Sequence, residues 1–186
     1  DEYYLEIGTF AGFTLSSAGY QNRRLVIGID YYRPGWKRNF NPSAHIVRSN
    51  MEYIDYYTAH IVRSNMEYLD SINYELIDSD FRNIILDETR KRKLGVFFID
   101  GDHTKHDVIE AYAWAEPYLS DRALVFFDDY KVDEVKEALE CIKAGGNQLR
   151  NFFCSETFDS ECNGCVTNTY IGNGLAVCTF ERNHGN

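Results

Sequence analysis

Two short stretches of this chain carry residue types that could do chemistry together. Phe97-Phe98-Ile99-Asp100-Gly101-Asp102-His103 runs from apolar residues straight into acids and a histidine, and Phe126-Phe127-Asp128-Asp129 ends in an acid pair. If the two apolar runs are neighbouring strands, Asp100, Asp128 and Asp129 share one pocket. Like charges ~4 Å apart repel by about 4 kcal/mol per pair at an effective dielectric of roughly 20, so something must offset the repulsion. A shared proton is one solution. A hard divalent cation is the other, and Mg²⁺ prefers oxygen ligands with retained waters. Only Lys131 flanks the acid pair, and the reading adopted is a metal, expected to be Mg²⁺, held by Asp100, Asp128 and Asp129. His103 follows closely on Asp100 and is the candidate general base, because an imidazole titrates near working pH. His106 is expected at the start of the next helix, without a role.

A second group lies earlier. Glu6-Ile7-Gly8-Thr9-Phe10-Ala11-Gly12 joins an apolar run to a helical pattern, and glycines there let the backbone approach a ligand. The spacing is G-x-x-x-G and not the G-x-G-x-x-G of dinucleotide folds. Glu6 would repel a pyrophosphate, so a cationic cofactor suits the loop better; S-adenosylmethionine carries a sulfonium and an ammonium. Glu6, Gly8, Thr9 and Gly12 are therefore candidate cofactor residues. Asp30 ends the next apolar run and can accept both ribose hydroxyls, or else cap a helix. Ser79 and Asp80 follow a third run and can meet the adenine, or else form an N-cap before Phe81. Asp100 belongs to both groups, as a cofactor and a metal candidate.

These residues need elements that bring them to one edge. Strands are predicted at Tyr3–Ile7, Leu25–Ile29, Tyr74–Ile77, Gly95–Ile99 and Leu124–Phe127, with last strands near Phe152-Phe153 and Leu175–Phe180. Helices are predicted near 12–18, over Phe81–Lys93, over Asp107–Leu119, and over Val132–Lys143 with a stop at Gly145-Gly146. Strands that are continuous apolar runs alternating with helices predict an α/β, Rossmann-like, doubly wound, mostly parallel sheet with helices on both faces. Ligands of such sheets bind beyond the carboxyl ends of the strands, where Asp30, Asp100, Asp128 and Asp129 all fall.

Bulk properties agree with a small-molecule protein. The chain has 186 residues, 44% of them hydrophobic, enough for one globular domain. Its net charge is -10 with no basic block, which argues against nucleic-acid partners. No apolar run approaches the ~18 residues of a membrane span. The single expected domain covers 1–186, with room left for an upstream segment because Asp1 stands almost inside a strand. A cytoplasmic location is the default expectation, and a homo-oligomer is left open. Ala44–Tyr53 recurs letter for letter as Ala59–Tyr68. The plain reading is a local duplication lengthening one helical connection; a substrate lid or dimer surface is the alternative. Cys154, Cys162, Cys165 and Cys178 are read as ordinary thiols before a Cys162/Cys165 redox pair or a zinc site. Tyr56, Tyr57, Tyr112, Trp114 and Tyr130 could stack on a sugar, but such residues are more often core.

The stretches E-I-G-T-F-A-G, G-I-D, F-F-I-D-G-D-H and F-F-D-D-Y resemble those of class I S-adenosylmethionine-dependent methyltransferases, in the group holding the macrocin-type sugar O-methyltransferases and cephalosporin-hydroxylase-like proteins, methyltransferase family 24. The resemblance spans about Tyr3 to Tyr130. It implies a seven-stranded sheet in the order 3-2-1-4-5-7-6, Mg²⁺ on Asp100, Asp128 and Asp129, His103 as base, and cofactor contacts from Gly8 and Asp30. Leu119–Ala123, where the family often has Pro-Gly-Gly, is expected to be a turn. The implied activity is metal-assisted methyl transfer from S-adenosylmethionine to a hydroxyl of a small acceptor, a sugar by resemblance. An NAD-dependent oxidoreductase and a non-catalytic S-adenosylmethionine-binding subunit are the alternatives.

Overall fold

The computed structural model describes residues 2–9, 13–20, 24–31, 63–64, 66–67, 73–146, 148–155 and 174–182. Seven strands form one sheet: β1 (Tyr3–Ile7), β2 (Val26–Asp30), β3 (Tyr74–Asp78), β4 (Leu94–Ile99), β5 (Leu119–Asp128), β6 (Leu149–Ser155) and β7 (Leu175–Glu181). Their order is β3-β2-β1-β4-β5-β7-β6, as expected. β1 to β5 run parallel, and β7 pairs antiparallel with both β5 and β6.

Apolar content explains the sheet. Leu5, Ile27, Phe97, Val125 and Phe127 are fully buried, and each such side chain contributes about 1.5–3 kcal/mol on leaving water. α2 (Lys105–Ala115) and α3 (Asp133–Ala144) send Val108, Tyr112, Val135 and Leu139 into the same core. α1 (Phe13–Gly19) supplies Leu15 to a smaller cluster with Val26 and Met66. Met66 belongs to the second copy of the duplicated decapeptide; most of the duplication, with Tyr56 and Tyr57, lies outside the described residues. Tyr112 is buried, and Trp114 packs on Phe81 and Tyr118 while its Nε1 donates to the Ile84 carbonyl at 2.9 Å. Tyr130 also packs against the core. These three aromatics are structural.

Register puts the strand ends on one level. Ile7 stands beside Ile29 and Ile99, and Ile99 beside Phe127. The next residues along, Gly8, Asp30, Asp100 and Asp128, therefore form one rim.

Two expectations are corrected. Phe81–Lys93 is not one helix but two 3₁₀ turns, Phe81–Asn83 and Glu88–Arg90. Asp80 and Asp87 accept hydrogen bonds from the amides of Arg82 and Thr89, and such local caps compete with a continuous helix. Burial follows the break: Phe81 and Leu86 are inside while Ile85 is 91% exposed. Leu119–Ala123 is not a turn but the first half of β5. β7 continues alongside it, pairing Arg122 with Glu181 and Ala123 with Phe180, and Arg182 donates to the carbonyls of Glu116 and Leu119.

Gly8 is required by the chain itself. Its φ is 89°, and a Cβ there would lie 2.0 Å from the Asp100 carbonyl oxygen. Gly146 has a similar φ of 83° with nothing within 4 Å, so it isolates the cost of the left-handed backbone. Gly146→Ala is expected to cost about 1–2 kcal/mol, and Gly8→Ala about 4 kcal/mol or more. Urea unfolding midpoints check this; equal losses would show that the Asp100 contact is immaterial.

Candidate active site

The strand ends open into a cleft of about 390 Å³, a size common for small-molecule sites. Ile7 and Gly8 come from the end of β1, Ile29, Asp30 and Tyr31 from β2, and Ser79, Asp80, Phe81 and Arg82 from the turn after β3. Ile99, Gly101 and Asp102 enter from β4, Asp107 and Ala111 from α2. The floor is apolar and the rim carries four carboxylates, Asp30, Asp80, Asp102 and Asp107, with one guanidinium, Arg82. Such a wall suits a cationic ligand with a hydroxylated ring and repels polyphosphates.

Asp30 ends β2 and its Oδ1 accepts from the Tyr31 amide at 2.6 Å. Asp80 caps the turn after β3, as one of its two readings expected, and it also lines the cleft. Ser79 Oγ donates to the Asp80 carbonyl at 3.3 Å. Glu6 and Thr9 stand elsewhere. Glu6 is wholly buried, its Oε2 accepting from the Tyr4 hydroxyl at 2.7 Å. Burial pushes its carboxyl up to about 7, against the pull of the Tyr4 hydroxyl. Thr9 is 2% exposed and its hydroxyl has no partner among the described residues. Both sit beneath the cleft rather than on its lining. Gly12 lies outside the described residues.

The acid cluster begins where the cleft's Gly101 and Asp102 end. Asp100 is pushed up to about 9, by burial first and then by the charge and hydrogen bond of Asp128. Asp128 is raised too, chiefly by burial, while its bond from Asp100 and the Asp129 amide hold it down. Burial and the neighbouring charge thus favour the protonated form of Asp100 beside Asp128. Asp129 has a φ of 51°, an uncommon conformation that aspartate tolerates better than most residues. Its Oδ2 stands 2.7 Å from His103 Nε2, while its charge still acts on Asp100 and Asp128. That contact raises the His103 pKa, against partial burial. His106 is exposed and pairs with Glu110 of its own helix at 3.1 Å.

Three carboxylates at this edge have the right donor chemistry for Mg²⁺, but they do not converge. Among the described residues no group of three acidic, histidine or cysteine side chains is arranged to hold a metal. Asp129 stands against an imidazole, so the three side chains as placed do not form the expected ion's site. The expected Mg²⁺ site on Asp100, Asp128 and Asp129 is thus not formed among the described residues. Sequence reasoning also missed Arg82 and Asp107. Asp107 could have been found as the acid opening the helix after F-F-I-D-G-D-H; Arg82 gave no signal, because its partners meet it only in the fold.

Cys141, Cys154 and Cys178 are free thiols, and Cys178 Sγ donates to Asn151 Oδ1 at 3.4 Å. Cys162 and Cys165 lie outside the described residues. No helix among the described residues is long and apolar enough to cross a membrane.

Known proteins place this geometry. Among solved structures, the chain is similar to an O-methyltransferase of Streptomyces achromogenes involved in tomaymycin synthesis and in complex with SAM. The TM-score is 0.64 at 14% identity, over 97% of this chain and 74% of that one. It is similar to an O-methyltransferase of Bacillus cereus in complex with SAH, with TM-score 0.60 and 15% identity over 97% and 74% of the two chains. A precorrin-6y C5,15-methyltransferase of Geobacter metallireducens gives TM-score 0.60 and 14% identity over 98% and 82%. At these identities the likeness is one of fold. No curated protein matches the sequence. Residues 5–130 match the family described as a methyltransferase domain. That stretch holds the first five strands, the cleft and the acid cluster, and the chain belongs to this methyltransferase family.

Proposed function

We propose that the protein transfers a methyl group from S-adenosylmethionine to a hydroxyl of a small acceptor, within one domain spanning 1–186. The observation that carries the reading is the joining of two sites at Asp100-Gly101-Asp102. On one side lies a nucleoside-sized cleft with Asp30 at the end of β2; on the other lies an imidazole–carboxylate pair. Asp30 would accept the ribose hydroxyls, and Ser79 and Asp80 would face the adenine. The acidic rim favours a sulfonium donor over a dinucleotide, which also speaks against the oxidoreductase alternative. The three described thiols suit a reducing, cytoplasmic setting.

Methyl transfer needs little covalent work from the protein. The sulfonium methyl is already electrophilic, and alignment of the attacking oxygen supplies several kcal/mol. His103 is 40% exposed, so an acceptor can reach it. With Nε2 turned to Asp129, Nδ1 is the nitrogen left to take the acceptor proton. Asp129 orients the ring and stabilises the imidazolium that forms. The bond from sulfur to the methyl breaks as the bond from oxygen forms, leaving S-adenosylhomocysteine, the methyl ether and a proton on His103. The buried Glu6 and the Asp100–Asp128 pair support this arrangement from beneath. A sugar is the acceptor favoured by family resemblance.

The metal-assisted form of the reaction is the finer alternative. It requires Asp100 to lose its proton and Asp129 to leave His103, and no step above depends on it.

Incubation with candidate glycosides and S-adenosylmethionine is expected to give products heavier by one methylene unit. His103→Gln should lower turnover about 10²–10⁴-fold with donor affinity, by calorimetry, unchanged. A variant that methylates normally would remove His103 from the chemistry. The rate profile carries a sign. Asp129 raises the His103 pKa, so the imidazolium persists above the ordinary value of about 6.5, and the free base appears only at higher pH. The rate should therefore climb with pH through a midpoint above that value, and Asp129→Asn should move the midpoint down. Chelation with EDTA should leave the initial rate within about twofold; a loss restored by Mg²⁺ would favour the metal-assisted form.

A further inference from the structure

Arg82 spans the mouth of the cleft. It sits on the turn after β3, and its guanidinium reaches across to α2. Its Nε donates to Glu110 Oε2 at 2.6 Å, Nη2 donates to Asp107, and Nη1 donates to Asp80 Oδ1 at 3.3 Å. The guanidinium also lies over the Phe81 ring, 4.5 Å from its centroid. Asp107 is itself fixed, since Thr104 Oγ1 donates to its carboxylate and accepts from its amide. Asp80, Phe81, Arg82 and Asp107 all line the cleft. Two of its walls, from different parts of the chain, are thus tied together by one side chain.

A single exposed ion pair would deserve no such attention. A planar guanidinium held by three carboxylates and stacked on an aromatic ring is different, because the fork fixes direction as well as charge. It also leaves Arg82 no spare charge with which to attract a phosphate. We propose that Arg82 is a positioning residue for the donor: it sets the gap between the turn after β3 and α2, and it aims Asp80 at the nucleoside. This rests on the reading of the cleft as a donor site. Without the tie, the walls must be ordered by the ligand itself, and affinity falls by that cost. The effect should fall on the nucleoside half of the donor, because the latch touches neither the acid pair nor His103.

The test is calorimetric binding of S-adenosylmethionine, and of adenosine as a fragment, to wild-type protein and variants at fixed salt and pH. Arg82→Gln should weaken both ligands by the same factor, about tenfold. Arg82→Lys, which keeps the charge but loses the fork, should recover only part. Asp107→Asn combined with Glu110→Gln breaks the latch from the other wall and leaves Arg82 in place; it should reproduce the loss. Melting temperatures without ligand show whether each variant is folded. Wild-type protein that binds the donor while Arg82→Gln and the α2 double variant bind it within twofold of wild type would overturn the latch alone. Loss of S-adenosylmethionine binding without loss of adenosine binding would overturn it too. Wild-type protein that binds neither ligand would overturn the donor reading and the latch together.

Discussion

The crowding of carboxylates at one edge of the sheet, which favours a proton on Asp100, is the constraint on which the rest of this structure depends. Parallel strands in register deliver Asp30, Asp100 and Asp128 to one level, with Glu6 buried just below. Left fully ionised, buried carboxylates at such spacing would repel strongly in a medium poorer than water. Burial and mutual charge push Asp100 and Glu6 upward, and a proton on Asp100 would convert one repulsion into a hydrogen bond. Asp129, with its unusual φ, stands against His103 and still adds its charge to the pair.

That division of labour gives the rim two halves. The β1–β2–β3 ends, with α2, make a cleft walled by carboxylates and braced by Arg82. The β4–β5 ends make an acid pair and an imidazole 2.7 Å from a carboxylate. Asp100, Gly101 and Asp102 belong to the boundary, so a ligand filling the first half presents its far end to the second. Gly8 keeps the halves in contact, since its lack of a side chain lets the end of β1 pack directly on the Asp100 backbone.

Much of this was legible in the sequence, for particular reasons. The strands that matter are apolar runs closed by an acid, and period and length sufficed to find them; the strand order followed from resemblance. The 81–93 region misled because Ile84 and Ile85 stand at helical spacing while Asp80 and Asp87 cap short turns. The start of β5 was hidden because its pairing with β7 comes from a segment about sixty residues later. At the site, residue types announced a charge problem but not its solution. Which of the three aspartates meets His103 is decided by the fold, and residue type alone does not announce it. Arg82 was invisible because its three acids come from two separate elements.

Carbon-13 NMR titration of the aspartate side-chain carboxyls, with Asp100 assigned by comparison with Asp100→Asn, tests the central claim most directly. The account requires the Asp100 carboxyl to remain protonated at neutral pH and to titrate far above the ordinary aspartate range, near 9. An Asp100 carbon that titrates in the usual range, about 4, would mean that no proton is shared, and the rim would need another explanation.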